Sequence, residues 1–92
     1  MTSRFTWDPA KASSNRVKHG VSFELAAAAL DDPLLLSLYQ VVDGEERWVS
    51  LGRPPGAAHL VLLIVHADLE CGIRIISARK ATVHERKAYE TG

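Results

Sequence analysis

Apolar and polar positions alternate, or recur at helical spacing, in eight short stretches along the 92 residues. Phe5 and Trp7 alternate with Arg4 and Thr6, which reads as a short strand. Asp8-Pro9 then opens a helix over residues 9–18, because Asp accepts from free N–H groups and Pro loses nothing at the first helical position. Gly20, just after His19, stops it. Ser22 caps a second, alanine-rich helix over residues 23–30, which ends at Asp31-Asp32-Pro33. Period two then takes over. Residues 34–42 and 46–51 read as strands joined by a turn at Asp43-Gly44. Residues 59–66, apolar inside, read as a central strand, and residues 73–78 as another. Thr82 with Glu85 three positions on is a capping box for a last helix reaching about residue 90. The order is β-α-α-β-β-β-β-α in one domain of class α+β. An antiparallel sheet is expected from the short connections, with the helices packed on one face.

Composition narrows the classes. No apolar run approaches the ~20 residues of a membrane-spanning helix, and the opening residues lack the apolar centre of a signal peptide. A cytoplasmic protein is expected. The single cysteine, Cys71, excludes an internal disulfide and a multi-cysteine zinc site. The net charge is zero, but it is unevenly spread. Residues 1–46 carry four basic and seven acidic side chains, and residues 47–92 carry seven basic and four acidic. A basic end on a neutral chain can hold a polyanion, although a solvated surface has the same composition.

His19, His59, His66 and His84 show no metal-ligand spacing, and no metal or other cofactor is expected. No phosphate-cradling glycine loop or nucleophile elbow is present. Cys71, beside Gly72 in an expected turn, reads as an incidental thiol. Trp7 and Trp48 read as core. In the segment Ile73-Arg74-Ile75-Ile76-Ser77-Ala78-Arg79-Lys80, plain alternation puts Arg74, Ile76 and Ala78 on one face. Arg74 is then a charge in a strand that otherwise looks buried. An ion pair with Glu46 or Asp68 explains it as well as an anion site does. Arg79 and Lys80 stand where a helix N-terminus also favours anions. His66 ends an apolar strand, either capping it or titrating in a cleft. His19 suits a helix C-terminus, and Tyr89 shares a helix face with Glu85.

Phe5-Thr6-Trp7-Asp8-Pro9-Ala10-Lys11, Asn15 and Lys18-His19-Gly20-Val21-Ser22-Phe23-Glu24 resemble the opening of the BrnT toxins. Asp32-Pro33, Glu46-Arg47-Trp48, Leu51-Gly52, the run Arg74 to Thr82, Glu85-Arg86 and Tyr89-Glu90 continue the resemblance in order. It implies a RelE-like fold and a ribonuclease toxin of a type II toxin–antitoxin pair. It also implies a BrnA-type antitoxin whose ribbon-helix-helix part binds DNA, so that promoter DNA is met only through the complex, and no membrane partner.

RNA carries its own nucleophile, the 2′-OH, so cleavage without metal needs a base, an acid and cations for the phosphorane. On the resemblance, Arg74 and Arg79 would stabilise the phosphorane. Lys80 would bind phosphate, and His66, Glu85 or Tyr89 would move protons. Arg47, Lys18, His19, Arg86 and Lys87 would contact RNA. Two other readings remain: a degenerate toxin that binds antitoxin or nucleic acid without cutting, and a structural α+β domain with an incidental basic patch.

Overall fold

The computed structural model describes residues 4–57 and 59–92; residues 1–3, part of the opening read above, and Ala58 lie outside the described residues. The elements are β1 (Phe5–Thr6), α1 (Pro9–His19), α2 (Phe23–Ala29), β2 (Leu36–Val42), β3 (Glu45–Gly52), β4 (Leu62–Leu69), β5 (Gly72–Lys80) and α3 (Val83–Thr91).

The caps act as their residue types require. The Asp8 carboxylate accepts from the Ala10 amide at 2.9 Å, and Pro9 fills the first turn. Gly20 closes α1 in the left-handed region, its N–H donating to the Arg16 carbonyl. Ser22 Oγ accepts from the Leu25 amide at the start of α2. At α3 the Thr82 hydroxyl and the Glu85 carboxylate each accept from the other's backbone N–H.

The sheet has the order β1-β5-β4-β3-β2. β2 to β5 form an antiparallel meander, but β1 lies parallel to β5, pairing Phe5 with Ile73 and Thr6 with Arg74. The sheet is therefore mixed, not wholly antiparallel. Alternation in β1 reports its faces, not its partner, and that partner is almost seventy residues away. Gly72 permits the approach, since a Cβ there would meet the Arg4 carbonyl oxygen at 2.3 Å.

α2 lays Phe23, Ala26 and Ala29 on Leu62, Ile64, Ile75 and Ala78 to form the main core. Trp7 packs edge-on against Phe23 at 6.0 Å, a core role. Each of the fully buried Phe23, Leu62, Ile64 and Ile75 contributes about 1.5–3 kcal/mol. The alternate positions Leu51 and Leu63 pack with Val61 and Tyr89 in a second cluster. α3 thus sits on the opposite face from α2. Helices flank both faces, because α3 carries its own apolar residue, Tyr89, to the far side of β3.

α1 runs beside β5 past the point where β1 ends. The Asn15 side chain donates to the Ala78 carbonyl at 2.8 Å and accepts from the Ala78 amide at 3.1 Å. One buried carboxamide thereby serves as the missing neighbour strand. It also donates to the Val21 carbonyl at 3.1 Å.

Candidate functional site

Two strands, β3 and β5, and the helix α1 bring basic side chains to the sheet face that α2 does not cover. In β4, residues 63, 65 and 67 alternate away from the buried Leu62, Ile64 and His66. The register pairs Leu63 with Arg79 and Ala67 with Arg74. Val65 pairs with Ser77 and His66 with Ile75, which leaves Ile76 as an extra residue in β5. That bulge changes the parity of the strand. Plain alternation grouped Arg74 with Ala78. Instead Ala78 is buried against α2, while Arg74 lies on the opposite face with Arg79. Val49 pairs with Val65, so Arg47, two residues earlier, shares this face.

A cavity of about 620 Å³ is lined there by Lys11, Arg47, Arg74 and Ile76, with Glu45, Glu46 and Asp68 among its acidic residues. A second cavity of about 210 Å³, against Ser77, is lined by Lys11, Ser14, Lys18, His19 and Ile76. Lys11 and Ile76 border both. The two are neighbouring parts of one trough between α1 and the sheet, with Arg47 and Arg74 at one end and Lys18 and His19 at the other. Arg74 is exposed and has no carboxylate partner among the described ion pairs, so of the two readings above the pairing with Glu46 or Asp68 is not made. Arg47 donates to Glu45 at 2.8 Å, which holds that carboxyl below its ordinary value, with a contribution from Lys11. Trp48 is half-buried and edge-on to Tyr39; pairing with His66 puts these two rings on the α2 side of the sheet, at the border of the cavity.

His66 is elsewhere. It is buried on the α2 face, its Nε2 2.8 Å from Ser50 Oγ and its Nδ1 3.3 Å from Asp68. Ser50 Oγ in turn lies 2.7 Å from Ser37 Oγ. The chain Asp68–His66–Ser50 has the residue types of a hydrolytic triad. Ser50 is fully buried, however, so no substrate reaches its hydroxyl. Burial holds His66 below the ordinary histidine range, and Asp68 offsets this only in part.

Arg79 and Glu85 form a two-pronged ion pair at 2.8 and 2.9 Å, at the N-terminus of α3. The guanidinium, aided by the Thr82 amide, lowers the Glu85 carboxyl to about 2 despite partial burial. A carboxylate so held is a poor proton acceptor. Tyr89 is buried and donates to Asp32. Burial and that carboxylate both raise its pKa, and Arg53 stacks over its ring at 5.4 Å. Burial alone would raise Asp32, but Tyr89 and the amides of Leu34 and Arg53 together lower it. Lys80 and Lys87 are exposed, and Arg86 reaches Glu90 at 3.8 Å.

The predicted residues therefore fall into separate groups. Arg74, Arg47, Lys18 and His19 line the trough. Arg79 and Glu85 anchor α3, Tyr89 is tied to Asp32, and His66 lies beneath the sheet. Among the described residues no three His, Cys, Asp or Glu side chains are grouped as a metal site.

Residues 7–85 match the family model of the ribonuclease toxin BrnT of a type II toxin–antitoxin system. The chain belongs to the BrnT family. It is a ribonuclease toxin, and its type II system implies an antitoxin partner. A comparison with curated proteins finds no match. No helix among the described residues is long and apolar enough to cross a membrane. In this BrnT chain the trough-lining residues that the sequence reading did not single out are Lys11 and Ser14. Their signal was the spacing Lys11, Ser14, Lys18 along one stripe of α1, which reads equally as a solvated face. Asn15 is the buried centre of that stripe.

Proposed function

We propose that this chain cleaves RNA without a metal ion, in the trough between α1 and the open sheet face. The observation that supports this reading is the unpaired Arg74 guanidinium, set with Arg47 and Lys11 around one cavity. A phosphodiester at that point meets planar donors from β3 and β5 and an ammonium from α1. Attack by the 2′-OH adds negative charge on phosphorus, and cations fixed in advance stabilise it more than they stabilise bound RNA. His19 is the imidazole of the trough and the group suited to taking the 2′-OH proton. Lys18 holds the next phosphate, while Lys80, Arg86 and Lys87 extend the cationic surface beyond the trough. Arg79 is a positioning residue in this reading, since its guanidinium is committed to Glu85. His66, Glu85 and Tyr89 hold the scaffold.

The fold is proposed to be RelE-like, in keeping with a four-stranded antiparallel meander flanked by helices. The partner is proposed to be a BrnA-type antitoxin carrying a ribbon-helix-helix DNA-binding part. Induced expression in a bacterial host, with growth and total RNA integrity read together, tests the reading. Growth arrest with RNA loss in the wild type, both absent in Arg74→Ala, supports it. No arrest favours the non-cleaving antitoxin-binding module, and arrest with intact RNA contradicts cleavage as the cause.

A further inference from the structure

The two edges of the sheet are finished differently. At the β5 edge, β1 covers Ile73 and Arg74, and the Asn15 carboxamide occupies both backbone groups of Ala78. At the other edge β2 pairs with β3 alone. β2 reads Leu36-Ser37-Leu38-Tyr39-Gln40-Val41-Val42, without a charge, proline or glycine, and all seven residues are exposed. Leu38 is 62% and Val41 59% exposed, and the register with Val49 and Glu46 puts them on opposite faces. Edge strands of monomers are ordinarily blunted by lysine, proline or a bulge, and β2 has none of these. A straight, uncharged edge of this length is a template for an added strand.

The surrounding charge says which strand fits. No lysine or arginine occurs between Lys18 and Arg47. Asp31 and Asp32 precede β2, and Asp43, Glu45 and Glu46 follow it; Arg4 pairs with Asp31 and Arg47 with Glu45, which leaves Asp32, Asp43 and Glu46 outside the described ion pairs. A second copy paired antiparallel about Tyr39 would carry the acidic turn of one chain toward the acidic corner of the other, which like-charge repulsion opposes. A segment with alternating apolar residues and lysine or arginine at its ends matches both the apolar strip and its flanks.

The geometry points to β2 as the docking edge for the antitoxin, an extended basic-flanked segment of which adds to the sheet as a sixth strand. The inference rests on the toxin–antitoxin reading and says where and how the partner binds. Leu38 of the same strand pairs with Val49 and so lies on the face of Arg47, which puts a strand docked there on the side of the sheet that carries the trough.

The test compares the wild type with the double variant Leu38→Lys/Val41→Lys, using the antitoxin encoded with this toxin as the probe. The variant should melt and cut RNA like the wild type and bind the antitoxin at least about 30-fold more weakly. Amide exchange at residues 36–42 should slow in the wild-type complex. Binding within twofold of wild type, or new protection confined to another surface, overturns the proposal. So does a dimer of the free toxin that the same substitutions dissolve, since a second copy would then own the edge. Should the double variant melt without cooperativity, Val41→Lys alone and the exchange pattern decide by the same criteria. A wild type that binds through β2 but cuts no RNA defeats the cleavage reading and leaves the docking intact. A wild type that does not bind the antitoxin defeats the docking.

Discussion

Arg74 and Arg79 stand five residues apart in β5 and share one face of the sheet, because Ile76 is bulged out between their pairing partners. In a regular strand an odd separation sends two side chains to opposite faces. The single extra residue keeps Ile75 and Ala78 both in the core while turning Arg74 out to the trough. The consequence is an unpaired guanidinium at the mouth of a cavity. Arg74→Ala should lower the cleavage rate by about a hundredfold or more, the scale of losing one oxyanion donor. Its melting temperature should stay near that of the wild type, since the exposed side chain makes no described ion pair. Single-turnover cleavage and a thermal melt measure the two effects.

How much of this could be read from the chain varied with the kind of signal. The caps at Asp8, Ser22 and Thr82 and the stop at Gly20 are local chemistry, and they mark the helices to within a residue or two. Period two placed β2 and β3 to within two residues, but the apolar run over residues 59–66 lies three residues early for β4 (Leu62–Leu69), because apolarity marks burial and not where the ladder starts. The bulge was not legible, because nothing in Ile75-Ile76-Ser77 marks which residue lacks a partner until β4 is laid beside it. The parallel pairing of Phe5 with Ile73 was hidden for a similar reason, as it joins segments far apart in sequence. For the site, Arg74 stood out as a charge within a strand, and Arg47 through the resemblance alone. Lys11 did not, since only the docking of α1 through Asn15 carries it over the sheet edge.

Asn15→Ala removes three hydrogen bonds to buried backbone groups of Ala78 and Val21. A loss of about 2–4 kcal/mol is expected from groups left unpaired. Urea unfolding checks this. Asn15→Asp would leave the Ala78 and Val21 carbonyls without a donor and should also destabilise.

The Arg79–Glu85 pair has a pH signature. The Glu85 carboxyl is lowered from 4.5 to about 2, so its contribution is fully present above about pH 4.5 and is lost as the pH falls toward 2. Both side chains are partly exposed, so the contribution is about 1–2 kcal/mol after allowance for solvent screening. Glu85→Gln should lower stability by that amount at pH 7, and the gap should close near pH 2. Chemical denaturation across this range tests it; a gap independent of pH would mean that the carboxylate charge contributes nothing.

His66 has the opposite chemical sense but also weakens the fold in acid. Burial lowers its pKa from 6.5, so the unfolded chain takes up a proton that the folded one refuses. Stability is then lost as the pH drops below about 6.5, and His66→Gln should remove that slope. The same variant should keep near-normal cleavage at neutral pH, because the imidazole is bonded to Ser50 under the sheet and does not line the trough. A large loss of cleavage by a well-folded His66→Gln protein would return His66 to the catalytic set.

The central claim is that RNA is gripped and cut where Arg74, Arg47 and Lys11 meet. Its most direct test is single-turnover cleavage of RNA by the purified protein in excess EDTA, wild type beside Arg74→Ala, over a series of salt concentrations. The account predicts cleavage by the wild type that falls as salt rises, as phosphate contacts require. It predicts a loss of about a hundredfold or more in the variant at equal thermal stability. Cleavage unchanged by Arg74→Ala, or abolished in the wild type by EDTA, would contradict it.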